Sequence, residues 1–313
     1  MKETKRFICE TYNLPEDIVL IKHAVDTYTF DYKQSQYFLI CAPSNQELAA
    51  MQAFITYLNN KGTISQKVVT SIGGSDFVVH ESKFCTLYKT PPLQSVYTTS
   101  LTKTKLSGLL GLIKAVLNEG EYLADMFLSK ETYIVPQIAE KIVRQLSKAK
   151  NFFEDNNEIK VTAYDSIVVH LDMISLLENQ LRQLIEKLNT DITRTSINMN
   201  IENSFFNNES GIKMFITDKL FLGHPFFIFS KVASEMFIFE SAIEEEDLIN
   251  QVMESYDEMI PNHFTQDFFE SMIDIYLLIR LYKIAKLQID TGDQKEFYNI
   301  AKGLYRSKVV EWI

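Results

Sequence analysis

The residues of this chain whose types and spacing could serve chemistry lie between Ser196 and Pro225, in the segment SINMNIENSFFNNESGIKMFITDKLFLGHP. Asn198, Asn200 and Asn203 fall close together, Thr217 and Asp218 come after a short hairpin-like stretch, and Gly223-His224-Pro225 closes the segment. Such spacing suggests a loop for a proton acceptor, a hairpin, and a strand for a metal ion. The side chains do not match that work. Asparagine and threonine exchange hydrogen bonds but accept no proton at neutral pH, and an amide is a weak Mg²⁺ ligand without a carboxylate beside it.

These residues need elements to position them, and the chain divides into two textures. From about Asp17 to Tyr88, β-rich runs alternate with turns: Ile18–His23, Thr27–Tyr32, Gln36–Cys41, Lys67–Thr70, Asp76–His80 and Phe84–Tyr88. Their aromatic and β-branched content predicts strands. Thr27–Tyr32 and Gln36–Cys41 read as a hairpin, and Gly73-Gly74 marks a second turn. Between them, Ser44 caps a helix that ends at Gly62. Beyond Pro92 the pattern is helical. Expected helices run over Leu106–Leu117, Gln137–Phe153, Ser166–Leu188, Phe227–Phe239, Glu245–Met259, Thr265–Leu287 and Lys295–Ser307. The stripe Ile167, Leu171, Ile174, Leu177, Leu181, Leu184, Leu188 reads as the core face of a bundle helix. The expected fold class is α+β: a β-rich N-terminal lobe with one helix over residues 1–90, and a helical lobe over 91–313 that carries the loop and hairpin.

Composition bounds the function. The chain has 313 residues, 46% of them hydrophobic and 12% aromatic, which is globular. No apolar run approaches the roughly 20 residues that cross a bilayer, and the N-terminal MKETKRFICETYNLPED lacks the apolar core of a secretory signal. Cys9, Cys41 and Cys85 are far apart, so three reduced thiols in a cytoplasmic protein are expected. Net charge is −10, and all of the excess falls after residue 95, including Glu244-Glu245-Glu246-Asp247. Phosphate backbones need clustered Lys and Arg, so a nucleic-acid partner is not expected, and neither is a membrane. The five histidines are dispersed with no HExxH spacing, and no Gly-x-Ser-x-Gly occurs.

A small sheet lobe with one helix, a hinge near Leu87–Pro92, and a helical lobe interrupted by a loop and hairpin together resemble the aminoglycoside/choline kinase-like phosphotransferase family, which also includes spore-coat kinase-like proteins. The family's loop runs His-Gly-Asp-x-His-x-x-Asn, followed by a strand ending in Asp and then Gly-Asp-Pro. Here the matching positions read Ser196-Ile197-Asn198-Met199-Asn200-Ile201-Glu202-Asn203, then Ile216-Thr217-Asp218, then Gly223-His224-Pro225. Only Asn203, Gly223 and Pro225 match by identity. The resemblance spans nearly the whole chain and implies a two-lobed, protein-kinase-like fold.

It also implies roles, and the residues fail them one by one. Phosphoryl transfer needs the phosphates held, Mg²⁺ held and a base near the acceptor hydroxyl. The loop between the first two strands, His23-Ala24-Val25-Asp26, has no glycine, and Asp26 would repel phosphate. The third strand has no lysine, and Glu47 is an ordinary first-turn acid. The base position holds Asn198, the second imidazole position Asn200, and the metal aspartate position Thr217. Asn203 and Asp218 remain weak metal candidates, Asp218 being one residue late in an extended strand and so turned to the other face. His224 replaces the aspartate that would brace the loop.

The reading that follows is a pseudokinase-type protein with no cofactor and no catalytic residue. It would act as a binding, scaffolding or accessory subunit for a protein or peptide. Two alternatives stay open: an atypical small-molecule phosphotransferase using Asp218 and Asn203 for metal, and an unrelated α+β interaction protein. Oligomeric state and the cofactor-binding residues are not fixed by the sequence.

Overall fold

A computed structural model describes residues 1–24, 26–62, 66–91, 94–95, 102–127, 135–161, 165–190, 196–198, 205–208, 211–214, 221–238, 245–258, 266–287 and 294–313. In chain order the N-terminal elements are α1 (Lys2–Tyr12), β1 (Ile21–Ala24), β2 (Thr27–Tyr32), β3 (Ser35–Ala42), α2 (Asn45–Asn60), β4 (Lys67–Val69), β5 (Val78–His80), β6 (Lys83–Thr90) and β7 (Gln94–Ser95). Then come α3 (Lys103–Phe127), α4 (Val135–Asp155), β8 (Glu158–Lys160), β9 (Ser166–Val169), α5 (Leu171–Thr190), β10 (Ser196–Asn198), β11 (Phe205–Asn208), β12 (Gly211–Met214) and β13 (Phe221–Gly223). The last are α6 (Pro225–Ile238), α7 (Glu245–Asp257), α8 (Gln266–Leu287), α9 (Gln294–Arg306) and β14 (Val310–Trp312). Two compact units form. One joins Met1–Val96, Asn118–Phe127 and Ile197–Phe221; the other joins Tyr97–Leu117, Leu128–Ser196 and Leu222–Ile313.

The first unit is built on an antiparallel sheet in the order β1-β2-β3-β6-β4, with β5 also paired to β6. Every strand expected from the sequence is present within a few residues of its predicted bounds. The turns differ. β4 and β5 each pair with β6 and not with each other, so Gly73-Gly74 does not close a hairpin. The two-residue hairpin loops are Lys33-Gln34 and Glu81-Ser82, with φ of 45°, 56°, 48° and 63°. Positive φ at both positions matches the strand twist, here without the glycine or asparagine such turns favour.

β3 is covered on both faces. Tyr37, Leu39 and Cys41 join Ile8, Cys9 and Tyr12 of α1 in one core, with Cys85 and Leu87 of β6. The alternate side chains Phe38, Ile40 and Ala42 are also buried, and α2 packs on β3 and β6 with Leu48, Met51, Phe54, Ile55 and Leu58 buried. The expectation of a single helix within residues 1–90 is corrected by α1, which precedes α2. The apolar side of α1 is Ile8, Cys9 and Tyr12 with Phe7 packed beside them, and Asn13, at φ 51°, ends it in the left-handed conformation. The expectation of three reduced thiols is also corrected. Register places Cys41 directly opposite Cys85, 4.1 Å apart at Cα, and the two are joined; only Cys9 is free.

In the second unit α8 packs against α4, α5, α6 and α9. Its residues from Phe269 to Leu281 are nearly all buried, which is why no clean apolar stripe shows in its sequence. The stripe expected over Ser166–Leu188 splits. Ile174, Leu177, Leu181, Leu184 and Leu188 are buried on α5, but Ser166–Val169 is strand β9. β9 is the centre of a three-stranded sheet, between β8 and the C-terminal β14, in register Ile167↔Trp312 and Val169↔Val310. The β-branched run Ile167-Val168-Val169 was free to extend because a strand from the chain's far end pairs with it. The acidic run opens α7, with Asp247 bonded to Lys103 and Glu258 of the following turn bonded to Lys114. None of the described helices is long and apolar enough to cross a membrane.

Candidate functional site

Of the loop, hairpin and strand expected between Ser196 and Pro225, the hairpin is present, while the loop after Asn198 and the strand Ile216–Asp218 lie outside the described residues. β10 ends on Asn198, β11 and β12 form the hairpin in register Phe205↔Met214 to Asn208↔Gly211, and β13 pairs with β10. β7 adds a third strand to the hairpin through Phe206↔Ser95. Asn198 is thus the last residue of β10. Asn200, Asn203, Thr217 and Asp218 lie outside the described residues, as does the side chain of Glu47. Among the described residues no group of three or more His, Cys, Asp or Glu side chains could hold a metal ion.

His224 is where the structure adds most. It is 2% exposed, and its Nδ1 accepts the backbone N–H of Phe226 at 3.2 Å. That makes it the N-cap of α6, with Pro225 at the first helical position, where a missing N–H costs nothing. The bond fixes the tautomer with the proton on Nε2. Sequence reasoning counted His224 as a lost acceptor; it is an acceptor still, turned to the helix. Since α6 is almost wholly buried, an uncapped amide at its start would have no water to replace the bond. His224→Ala is therefore expected to lower stability by about 1–2 kcal/mol, read by urea unfolding, whereas His224→Asn should recover most of that loss.

The positions that the resemblance assigns to phosphate binding can also be placed. Asp26, at φ 63°, accepts an ion pair from Lys83 Nζ at 2.6 Å, so its charge is answered within the sheet, and the expectation that it would repel phosphate is weakened accordingly. β3 carries no cation along Ser35–Ala42, and Tyr37 to Ala42 are all buried. A lysine there would need a polar outlet from the core, and this strand has apolar neighbours on both sides.

No family model matches the chain, and no curated protein matches it. Solved structures do. Amicoumacin kinase hAmiN, solved with AMP-PNP, Ca²⁺ and Ami, is 13% identical with a TM-score of 0.58, over 98% of this chain and 92% of that one. Spectinomycin phosphotransferase APH(9)-Ia, solved with ADP and spectinomycin, is 13% identical with a TM-score of 0.52, over 98% of both chains. A thermostable mutant of aminoglycoside phosphotransferase APH(4)-Ia is 9% identical with a TM-score of 0.54, over 97% of this chain and 99% of that one. The chain has the kinase-like phosphotransferase fold. The kinase-like fold sets aside the alternative of an unrelated α+β fold.

Two groupings escaped the sequence. Asp274 on α8 is 4% exposed, with Arg306 Nη2 at 3.8 Å from its Oδ1. The signal was there as a lone acid inside the apolar run SMIDIYLLI. The other is a cleft that unites His170 with the turn after α9. It depends on β14 meeting β9 and has no local signature.

Proposed function

We propose that this chain is a catalytically inactive kinase-like protein that acts as a binding, scaffolding or accessory subunit through protein or peptide contacts. The observation that carries the reading is β3: the strand that would supply the phosphate-pairing lysine is cation-free and buried on both faces from Tyr37 to Ala42. The residue types elsewhere agree with it. Asn198 at the base position cannot accept a proton, a loss on the order of 10²–10⁴ in rate. With Thr217 at the metal position, the groups that hold, orient and deprotonate are missing together, not singly.

The partner in this reading is a protein or peptide, a basic segment suiting the acidic excess after residue 95. Nucleic acid and membrane are not partners in it. It places the protein in the cytoplasm, where the reducing thiol pool would decide how far Cys41–Cys85 stays closed.

Titration calorimetry with Mg-ATP is the test. No saturable heat is expected up to millimolar nucleotide. Micromolar binding, accompanied by ATP turnover that disappears in Asp218→Ala, would replace this reading with the atypical phosphotransferase.

A further inference from the structure

In the second unit a half-open cleft of about 470 Å³ is lined by His170, Tyr305, Arg306, Lys308, Val310 and Glu311. Backbone bonds fix its frame: the His170 N–H donates to the Val309 carbonyl, the Val309 N–H to Leu304 and the Lys308 N–H to Tyr305. Lys308 is held in the left-handed conformation at φ 59°, so the direction in which its side chain leaves the backbone is set by a tight turn. The volume falls within the range of small-molecule sites.

We propose that this cleft binds a phosphate monoester carried on a planar body, with Arg306 and Lys308 holding the phosphate and the Tyr305 ring lying against the body. The charge arrangement carries it. On a chain of net charge −10, the cleft brings together two permanent cations and one carboxylate. That carboxylate, Glu311, stands 3.5 Å from His170 Nε2, on the imidazole's side. Among the described residues no acidic side chain pairs with Lys308, which is exposed.

Arg306 has donors to spare. Among the described residues the only acid it approaches is Asp274, at 3.8 Å, beyond hydrogen-bonding distance, and Asp274 Oδ1 accepts no hydrogen bond from them. Burial pushes the Asp274 carboxyl up to about 7, so its charge is only partly developed at neutral pH and does not cancel the guanidinium. Two cations match the charge of a phosphate monoester, near −2 at neutral pH, better than that of a carboxylate. Tyr305 is 52% exposed and offers an open ring for the ester's body.

The experiment uses the full chain, with phenyl phosphate, inorganic phosphate and benzoate as probes, followed by titration calorimetry and by tyrosine and histidine NMR shifts. Saturable binding of phenyl phosphate is expected, weakened about tenfold in Lys308→Glu and tightened in Glu311→Gln. Tyr305→Ala should reduce phenyl phosphate to the affinity of inorganic phosphate. Lys308 and Tyr305 are exposed, so both variants should keep the parent melting temperature; if Lys308→Glu does not, Lys308→Gln serves in its place. Failure of phenyl phosphate to saturate overturns the proposal. So does binding that the Lys308 variants leave unchanged, which would belong elsewhere on the chain, or equal binding of benzoate. The Mg-ATP experiment has a separate outcome, because no residue of the cleft belongs to Ser196–Pro225.

Discussion

Asp274→Asn is expected to flatten the pH dependence of stability between about pH 4 and pH 7, and to leave the variant at least as stable as the parent at pH 8. Asp274 lies on α8 at 4% exposure. Burial drives its carboxyl up from 3.8 to about 7; Arg306 and a hydrogen bond with Ser307 oppose the shift, and Glu270 adds to it. The ion pair is too long, at 3.8 Å, to overcome the loss of water around the carboxylate. The folded protein therefore keeps a proton that the unfolded chain releases near 3.8. Between those values the folded state binds more protons, so its stability falls as pH rises. The contribution is fully present below 3.8 and gone above about 7. Its size is on the order of 4 kcal/mol at most, from 1.36 kcal/mol per pH unit of displacement.

Asparagine keeps the shape and cannot titrate. Arg306 in the variant is not stranded, because its side chain is 27% exposed and reaches solvent. All other titrating groups are shared, so the difference between parent and variant isolates this one carboxyl. Urea unfolding at pH 4, 5.5, 7 and 8 should show the difference growing by roughly 2–4 kcal/mol across the series. Parallel curves would mean that Asp274 is charged throughout and that Arg306 holds it there.

How much of this was legible in the sequence depends on how local the deciding contact is. Thr27–Tyr32, Gln36–Cys41 and the helix after Ser44 were legible because strand alternation and helix caps act within a few residues. The stripe from Ile174 to Leu188 was legible for the same reason. Ser166–Val169 was not. Its residues continue the helical spacing into α5, and only the pairing with Val310–Trp312 decides for strand. Lys33-Gln34 and Glu81-Ser82 were missed as turns because hairpin geometry, set by the strands on either side, overrode the usual preference for glycine. Cys41 and Cys85 needed the β3–β6 register before they could be seen as neighbours.

The candidate site divides in the same way. The order of hairpin and helix start is a property of spacing and could be read from Phe205–Asn208, Gly211–Met214 and Gly223-His224-Pro225. What His224 does could not be read, since its partner is a backbone amide and any acceptor of suitable length would fill the role. The kinase-like fold is thus recorded in this chain by spacing and burial. The apolar β3 keeps the core of that fold with no cation along the strand.

The helix that follows this segment is held by rings, and Phe226→Ala should show it. Phe226 is fully buried and meets Tyr256 at 5.7 Å, Phe269 at 5.7 Å and Phe227 at 6.3 Å, each edge to face. Tyr256 brings in α7 and Phe269 brings in α8, so one side chain ties three helices. Its amide is the one capped by His224. Truncation removes the ring's transfer energy and leaves a cavity that α6, packed on α7, α8 and α9, cannot close. The expected loss is about 3–5 kcal/mol, to which broken ring pairs contribute roughly 0.5–1.5 kcal/mol each. Against a total stability on the order of 5–15 kcal/mol, that leaves the chain marginal. Phe226→Leu, which fills most of the space without the ring edges, should cost less than half as much in the same urea titration. If alanine costs under 1 kcal/mol, the cluster is not what anchors α6. A large loss, set beside the smaller one expected from His224→Ala, would show that this stretch of the kinase-like fold is kept in place by its core, independently of any charged brace at position 224.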